Sequence, residues 1–151
     1  EKFVLEYYRY HYPDLRASPM QIAWNVDYGI VEYLPIMQTD VVLQFGNRNL
    51  IIDTKYYSHS MQVQYDTYKF HSNNLYQIFT YVKNMDVKNT GNVSGMLLYA
   101  KTVDAINSDS NFTLSGNKFS VKTLDLSMSF NNIAEQLNEI AELYVYNDTW
   151  H

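Results

Sequence analysis

The chain has 151 residues, 46% hydrophobic and 18% charged, a composition typical of one globular domain and not of a disordered or fibrous protein. It lacks cysteine, which excludes disulfides, thiol catalysis and zinc–thiolate sites and favours the cytoplasm, and no apolar run reaches the roughly 20 residues that span a membrane. The formal charge of -5 argues against tight, independent binding of duplex DNA, because such binding depends on phosphate contacts.

The first part of the sequence predicts a helix, a strand and a hairpin. Apolar residues at helical spacing in EKFVLEYYRYHYPDL predict an opening helix that Pro13 ends. Alternating apolar residues from Met20 to Asp27 predict a strand. Two β-rich runs, Met37 to Phe45 and Leu50 to Tyr57, flank the polar residues 46–49, which predicts a hairpin with a four-residue loop.

The remaining sequence predicts two further helices around another hairpin. A helix is expected over Ser72 to Met85, and a short apolar strand over Gly95 to Ala100. A hairpin turn is expected at residues 115–117, and the last helix, from Phe130 to Tyr144, has the clearest periodicity. Together these elements predict one mixed α/β (α+β) domain over residues 1–151, with a central mixed sheet flanked by helices on both sides.

The first hairpin concentrates charged residues on one face. If Phe45 pairs with Leu50 across an even loop, Asp40 lies opposite Lys55, and alternation places Asp40, Asp53 and Lys55 on the same face. The two aspartates are then diagonal neighbours with Cα atoms roughly 7–8 Å apart. Carboxylates at that separation can share a hard cation. The alternative is a structural ion pair between Asp40 and Lys55 at a sheet edge.

The order of these residues resembles the PD-(D/E)XK nuclease superfamily. Asp40 corresponds to the first acid, and Asp53, Thr54 and Lys55 form the D-x-K element thirteen residues later. The tripeptide alone is weak, because D-x-K is common by chance. Thr39 stands where the signature has proline, as is usual in McrC-like members.

A later segment makes the resemblance more specific. KFHSNNLYQIFTYV is similar to the signature of the McrC family, the cleaving subunits of McrBC-type restriction systems, in which a helix carries His-Ser-x-Asn and Gln-x-x-x-Tyr. These motifs fall on His71, Ser72, Asn74, Gln77 and Tyr81. The resemblance continues to about Lys101. On a helix, three of these residues (Asn74, Gln77 and Tyr81) share a polar ridge; the alternative is that Gln77 and Tyr81 cap backbone groups of the sheet.

The resemblance implies a restriction-endonuclease-like core and a Mg²⁺-dependent endonuclease that hydrolyses DNA phosphodiesters, with Mn²⁺ as a substitute. Asp40, Asp53 and the Thr54 carbonyl would hold the metal, and Glu1 would lie near it. Lys55 would orient the attacking water and offset charge on the phosphate, and its two acidic neighbours favour electrostatic stabilisation over general-base catalysis. The catalytic residues implied are therefore Asp40, Asp53, Lys55, Gln77 and Tyr81.

The resemblance also implies partners. The chain is expected to be the C-terminal part of a longer subunit that acts on DNA with a McrB-like AAA+ GTPase, without a membrane, and as a dimer for double-strand cleavage. Three alternatives stay open: a RecB-like repair or recombination nuclease, a catalytically inactive assembly module of the same fold, and an unrelated α/β domain with a chance match.

Overall fold

The computed structural model describes residues 1–56, 61–64, 67–70, 72–101 and 109–148. Its helices and strands, in chain order, are α1 (Lys2–His11), β1 (Gln21–Ile22), β2 (Met37–Gln38), β3 (Val41–Phe45), β4 (Arg48–Tyr56), β5 (Met61–Gln64), β6 (Thr67–Phe70), α2 (Ser72–Met85), β7 (Val93–Lys101), β8 (Ser110–Leu114), β9 (Asn117–Asp125) and α3 (Phe130–Ile140). A 3-10 helix, Pro13–Leu15, follows α1, and a π-helical turn, Ala141–Tyr146, extends α3. No helix in these ranges has the length and hydrophobicity of a transmembrane segment.

The centre of the fold is a five-stranded sheet in the order β3-β4-β7-β9-β8. β4, β7 and β9 run parallel, and the two edge strands are joined to them antiparallel by hairpins. Because α2 lies between β4 and β7 in the chain, it forms the crossover between two parallel neighbours. The carboxyl ends of β4 and β7 therefore lie side by side. This arrangement confirms the predicted mixed sheet with flanking helices.

Both faces of the sheet are covered by apolar side chains from helices. On one face α1 and α3 bury residues that include Tyr8 and Leu137. On the other face α2 contributes Ile78 and Val82. α2 lies unusually close to β7, because a Cβ added to Gly95 would be 2.7 Å from an Ile78 side-chain carbon and 2.8 Å from one of Val82. The glycine thus allows the helix to pack directly on the strand.

The helix predictions are confirmed, with one difference at the C-terminus. α1 ends at His11, just before Pro13, and α2 has the predicted bounds. The final helix is regular only to Ile140 and continues as the π-helical turn. The predicted apolar stripe still faces the core over its second half, whereas Phe130 at its start is 60% exposed.

The predicted strand from Met20 to Asp27 is largely wrong. Only Gln21–Ile22 pairs, with Met37–Gln38 as partner. Residues 23–27 form no strand pairs; instead, the Trp24 indole donates a hydrogen bond to the Pro35 carbonyl at 2.7 Å. The predicted strand from Met37 to Phe45 is likewise interrupted at Thr39, whose amide and hydroxyl both bond to the backbone of Met20.

The first hairpin has a shorter turn than predicted. Phe45 pairs with Arg48, so the turn contains only Gly46 and Asn47. Gly46 has a φ of 61°, which suits the two-residue hairpin turn that places glycine first. Residues 48 and 49, predicted as loop, therefore belong to β4. The pairing moves by two residues, and an even shift leaves every side chain on its predicted face.

Candidate active site

The candidate site begins with two aspartates where β3 and β4 meet. Asp53 follows the fully buried Ile51 and Ile52 in β4 and is itself 4% exposed. Asp40 lies just before β3, and its Oδ2 accepts hydrogen bonds from the Thr54 amide at 2.8 Å and the Thr54 hydroxyl at 3.0 Å. The two carboxylates are close enough for the charge of Asp40 to raise the pKa of Asp53. The hairpin therefore brings both acids together.

The register corrects one detail of this pairing. With Val41 opposite Ile52, the next pair outward would be Asp40 and Asp53, so Asp40 does not lie opposite Lys55 as predicted. The corrected register brings the acids closer than diagonal neighbours would be. It also removes the basis for a structural ion pair between Asp40 and Lys55.

Lys55 connects the acids to helix α2. Its Nζ lies 3.0 Å from Asp53 Oδ2 and donates to Gln77 Oε1 at 2.8 Å. Gln77 Nε2 in turn donates to the Tyr81 hydroxyl at 2.8 Å. Gln77 and Tyr81 are one helical turn apart, which places both side chains on the face of α2 that looks at β4. Gln77 and Tyr81 thus bond to side chains, contrary to the alternative in which they cap the sheet backbone.

Burial dominates the electrostatics of these groups. It raises the pKa of Asp53 from 3.8 to about 6, with Asp40 adding to the effect and Lys55 opposing it. Burial also raises the pKa of Tyr81 above its ordinary value of 10.0. Apart from the ion pair with Lys55, Asp53 Oδ2 has no hydrogen-bond partner among the described residues. An acid so placed is costly to ionise unless a cation balances it.

The oxygen atoms at this site suit a small hard cation. Asp53 Oδ2 is buried and under-bonded, and the carboxylate of Asp40 lies beside it. Mg²⁺ typically takes one or two protein carboxylates and keeps several water ligands, so two acids suffice. Within the residues that the structure describes, no group of three or more His, Cys, Asp or Glu side chains could hold a metal. Two neighbouring carboxylates are a donor set that Mg²⁺ accepts when water completes its coordination.

The other predicted site residues lie at the edges of this cluster. Thr54 is half-buried and bonds to Asp40 through its amide and hydroxyl. Glu1 is exposed at the start of α1 and lines a cavity of about 350 Å³ together with Thr54 and Lys55. Its side chain makes no capping bond. Glu1 is thus beside the D-x-K strand, without a bond to either aspartate, and His71 falls outside the described residues.

One neighbour of the site, Tyr99, was not predicted. Tyr99 in β7 is the register partner of Lys55, and its hydroxyl accepts a hydrogen bond from Asn74 Nδ2 at 3.0 Å. The sequence predicts Asn74 on the polar ridge of α2, but its partner depends on the order of the parallel strands. The only sequence signal is a tyrosine near the end of an apolar strand.

Comparison with known proteins supports the resemblance. A family model described as McrBC 5-methylcytosine restriction system component matches residues 33–100, a range that contains Asp40, Asp53, Lys55, Gln77 and Tyr81. The chain is also 26% identical over 148 residues to the Type IV methyl-directed restriction enzyme EcoKMcrBC of Escherichia coli (strain K12). That alignment covers 96% of this chain, so the similarity extends beyond Lys101, and 42% of the relative. The chain therefore spans about two fifths of the relative's length, and its resemblance to McrBC components is confirmed.

Proposed function

We propose that this chain is the metal-dependent DNA-cleaving part of an McrBC-like restriction system and that it uses the PD-(D/E)XK arrangement. One observation carries the proposal: a pair of acids and a lysine converge at the end of one hairpin, with Asp53 buried and Lys55 bonded to both Asp53 and Gln77. The similarity to McrBC components favours a restriction role over RecB-like repair. The convergence of all three groups argues against an inactive assembly module.

Asp40 and Asp53 would hold Mg²⁺, with the Thr54 carbonyl as a third oxygen and Glu1 nearby. When bound, the ion supplies positive charge that polarises the scissile phosphate and makes water more acidic. Asp40 is already oriented for this role, since two hydrogen bonds from Thr54 fix one of its oxygens. Asp53 offers a buried oxygen whose charge a cation would balance.

Lys55 would orient the attacking water and offset the charge that builds on the phosphate oxygens. Its ammonium is held by Asp53 on one side and by the Gln77 amide on the other, which fixes its positive charge beside Asp53. Tyr81 accepts from Gln77 and so fixes which end of that amide faces Lys55. The contacts from Asp53 through Lys55 and Gln77 to Tyr81 thereby fix the position of the Lys55 ammonium.

The test is nicking of supercoiled plasmid by the protein with Mg²⁺ or Mn²⁺. The variant Asp53→Asn should lose cleavage. Lys55→Ala should do the same, and the matched control is Lys122→Ala. Lys122 is 21% exposed against 20% for Lys55, and each lysine pairs with an aspartate, but Lys122 lies on the opposite face of the sheet, over the Tyr144 ring. Cleavage by Asp53→Asn at the wild-type rate would contradict the proposal.

We further propose that a McrB-like AAA+ GTPase supplies DNA recognition, and that two copies of the chain cut the two strands as a dimer. The charge of -5 leaves little basic surface to neutralise phosphates. The chain alone should therefore bind duplex DNA only in the non-specific range of about 10⁻⁴–10⁻⁶ M at physiological salt. Tight, sequence-selective binding by the chain alone, measured by fluorescence anisotropy, would contradict this division of roles.

A further inference from the structure

Asn74 and Tyr99 form a buried polar pair next to the candidate catalytic lysine. We propose that this pair is a positioning device: it fixes α2 over the ends of β4 and β7 and so holds the Gln77 amide against Lys55. The inference rests on the proposed nuclease function for its effect on cleavage. Neither residue would touch DNA or metal, and both would act through Gln77.

Tyr99 lies directly beside Lys55. The two residues are register partners in the parallel strands β4 and β7, and paired residues of adjacent strands project from the same face. That face also carries Leu97 next to Asp53 and is covered by α2. The tyrosine is 1% exposed, so its ring is held by the surrounding core next to Lys55.

Asn74 is an unusual residue to bury, and its amide is committed to Tyr99. The asparagine is 6% exposed in the first turns of α2, and its Nδ2 donates to the Tyr99 hydroxyl at 3.0 Å. Burying an amide is costly unless it is hydrogen-bonded. An apolar side chain at this position would pack without that cost. The pair therefore contributes a defined geometry more than packing.

Two polar bonds in the first half of α2 tie the helix to two adjacent strands. Asn74 bonds to Tyr99 in β7, and Gln77, three residues later on the same helix face, bonds to Lys55 in β4. Farther along, the close contact at Gly95 fixes the distance between helix and sheet. In the first half of α2, the bond from Asn74 to Tyr99 opposes rotation of the helix away from β7. Loss of that bond would let the Gln77 amide move away from the ammonium of Lys55.

A matched buried tyrosine exists on the other face of the sheet. The Tyr8 hydroxyl donates to the Leu137 carbonyl at 2.8 Å, and Tyr8 is completely buried. This bond links α1 to α3 in the core on the opposite face of the sheet from Tyr99. Tyr8→Phe therefore removes a comparable hydrogen bond without touching the positioning device.

The first experiment measures plasmid cleavage at saturating and limiting DNA for Tyr99→Phe and Tyr8→Phe. Tyr99→Phe should lower kcat about tenfold and change KM for DNA less than about threefold, because a misplaced lysine affects the transition state more than binding. Tyr8→Phe should lower Tm by a similar amount and leave kcat within about twofold. Equal kcat for wild type and Tyr99→Phe would overturn the inference.

The second variant separates positioning from stability. Asn74→Leu combined with Tyr99→Phe replaces both partners by apolar groups, which should restore the Tm. If the pair positions Lys55, kcat of the double variant stays about tenfold low although the fold is restored. Wild-type kcat in the double variant would mean that the pair only stabilises the fold, and the inference would be wrong.

A spectroscopic measurement keeps the inference testable apart from cleavage. In ¹⁵N-labelled protein the side-chain amide protons of Gln77 should be protected from exchange by their bond to Tyr81. Tyr99→Phe should lower that protection about tenfold or more, and Tyr8→Phe should leave it unchanged. If the wild type does not cleave DNA with either metal, the proposed function fails by itself. Unchanged Gln77 protection in Tyr99→Phe overturns the positioning role whatever the activity.

Discussion

Two aspartates in this protein have the same small solvent exposure, but Asp53 lies deeper in the fold and the two have different hydrogen-bond partners. Asp53 and Asp86 are each 4% exposed. Asp86 accepts from the amide and hydroxyl of Thr90, the amide of Gly91 and the side-chain amide of Asn117, all at 2.9–3.0 Å. Burial alone would raise the pKa of Asp86, but these four donors outweigh it and lower the pKa to about 2.

Asp86 shows how hydrogen-bond donors stabilise the ionised form of a carboxylate in this fold. Around Asp86, neutral donors satisfy both oxygens, and the acid ties the end of α2 to the starts of β7 and β9. Around Asp53, burial and the neighbouring Asp40 outweigh the ion pair with Lys55, and the pKa of Asp53 rises to about 6. An incompletely balanced acid beside a second acid is a functional-site signature. Asp86 is the internal reference against which that signature can be measured.

The largest expected effect separates catalysis at the Asp53 site from stability at Asp86. Lys55→Ala should lower the cleavage rate about 10³-fold or more, equivalent to about 4 kcal/mol, because it removes a charge needed in the transition state. Folded Asp86→Asn should cleave within about threefold of wild type. Single-turnover cleavage below both melting temperatures measures each rate. A large loss in Asp86→Asn, or none in Lys55→Ala, would erase the distinction.

The next largest effect is on stability, which should fall in Asp86→Asn and not in Asp53→Asn. Asp86→Asn removes the charge that four donors face and directs an amide at two of them, so it should lower the free energy of unfolding by about 2–3 kcal/mol. Urea denaturation of metal-free protein at pH 7 measures the change. Asp53→Asn is the paired comparison and should not be destabilised. A neutral Asp86→Asn would mean that the cluster contributes little.

Most of the secondary structure could be predicted because its signal is local. The periodicity of α2 predicts its bounds at Ser72 and Met85, and Gly116, which tolerates the positive φ that it adopts, marks the turn after Ser115. The convergence of Asp53 and Lys55 on one face also needs only the two-residue alternation of a strand. Their roles stay predictions.

The features that could not be predicted from the sequence depend on contacts between distant segments. The hairpin register depends on whether Arg48 joins the turn or the strand, and both choices satisfy the same pattern of apolar residues. The partners of Asp86 include Asn117, and Tyr99 meets Asn74, pairs that become visible only once α2 is placed on β7. The segment after Ile22 alternates apolar and polar residues as a strand does, but it forms no strand pairs, and the Trp24 indole bonds to the Pro35 carbonyl.

The pH dependence of stability should differ in sign between the two aspartates. The pKa of Asp53 is raised from 3.8 to about 6, so the folded state retains a proton in this range and stability falls as pH rises through it. The pKa of Asp86 is lowered from 3.8 to about 2, so its contribution, present above about pH 4, is lost as pH falls through that range.

The free energy of unfolding of Asp53→Asn should therefore increase relative to that of wild type as pH rises from about 4 to about 6. That of Asp86→Asn should decrease relative to wild type as pH rises from about 2 to about 4. We expect a gain of about 1–2 kcal/mol for Asp53→Asn at pH 7, since the loss of the ion pair with Lys55 offsets part of the effect. Unfolding titrations of metal-free protein across this range measure both slopes. Parallel slopes for the two variants would contradict the contrast.

The smallest effect tests whether a cation resolves the imbalance at Asp53. A ligand that binds only the folded state at ten times its Kd stabilises by about 1.4 kcal/mol, which raises Tm by about 4 °C in a protein of this size. Mg²⁺ should therefore raise the Tm of wild type and, by the same increment, that of the less stable Asp86→Asn, because the Asp86 cluster already has its donors. Asp53→Asn should show no increment, since one of the two carboxylates that would hold the ion is gone. Calorimetric titration should report the same loss directly, with Mn²⁺ as the second metal. If Mg²⁺ raises the Tm of Asp53→Asn as much as that of wild type, the cation binds elsewhere, and the raised pKa of Asp53 reflects burial without a metal site.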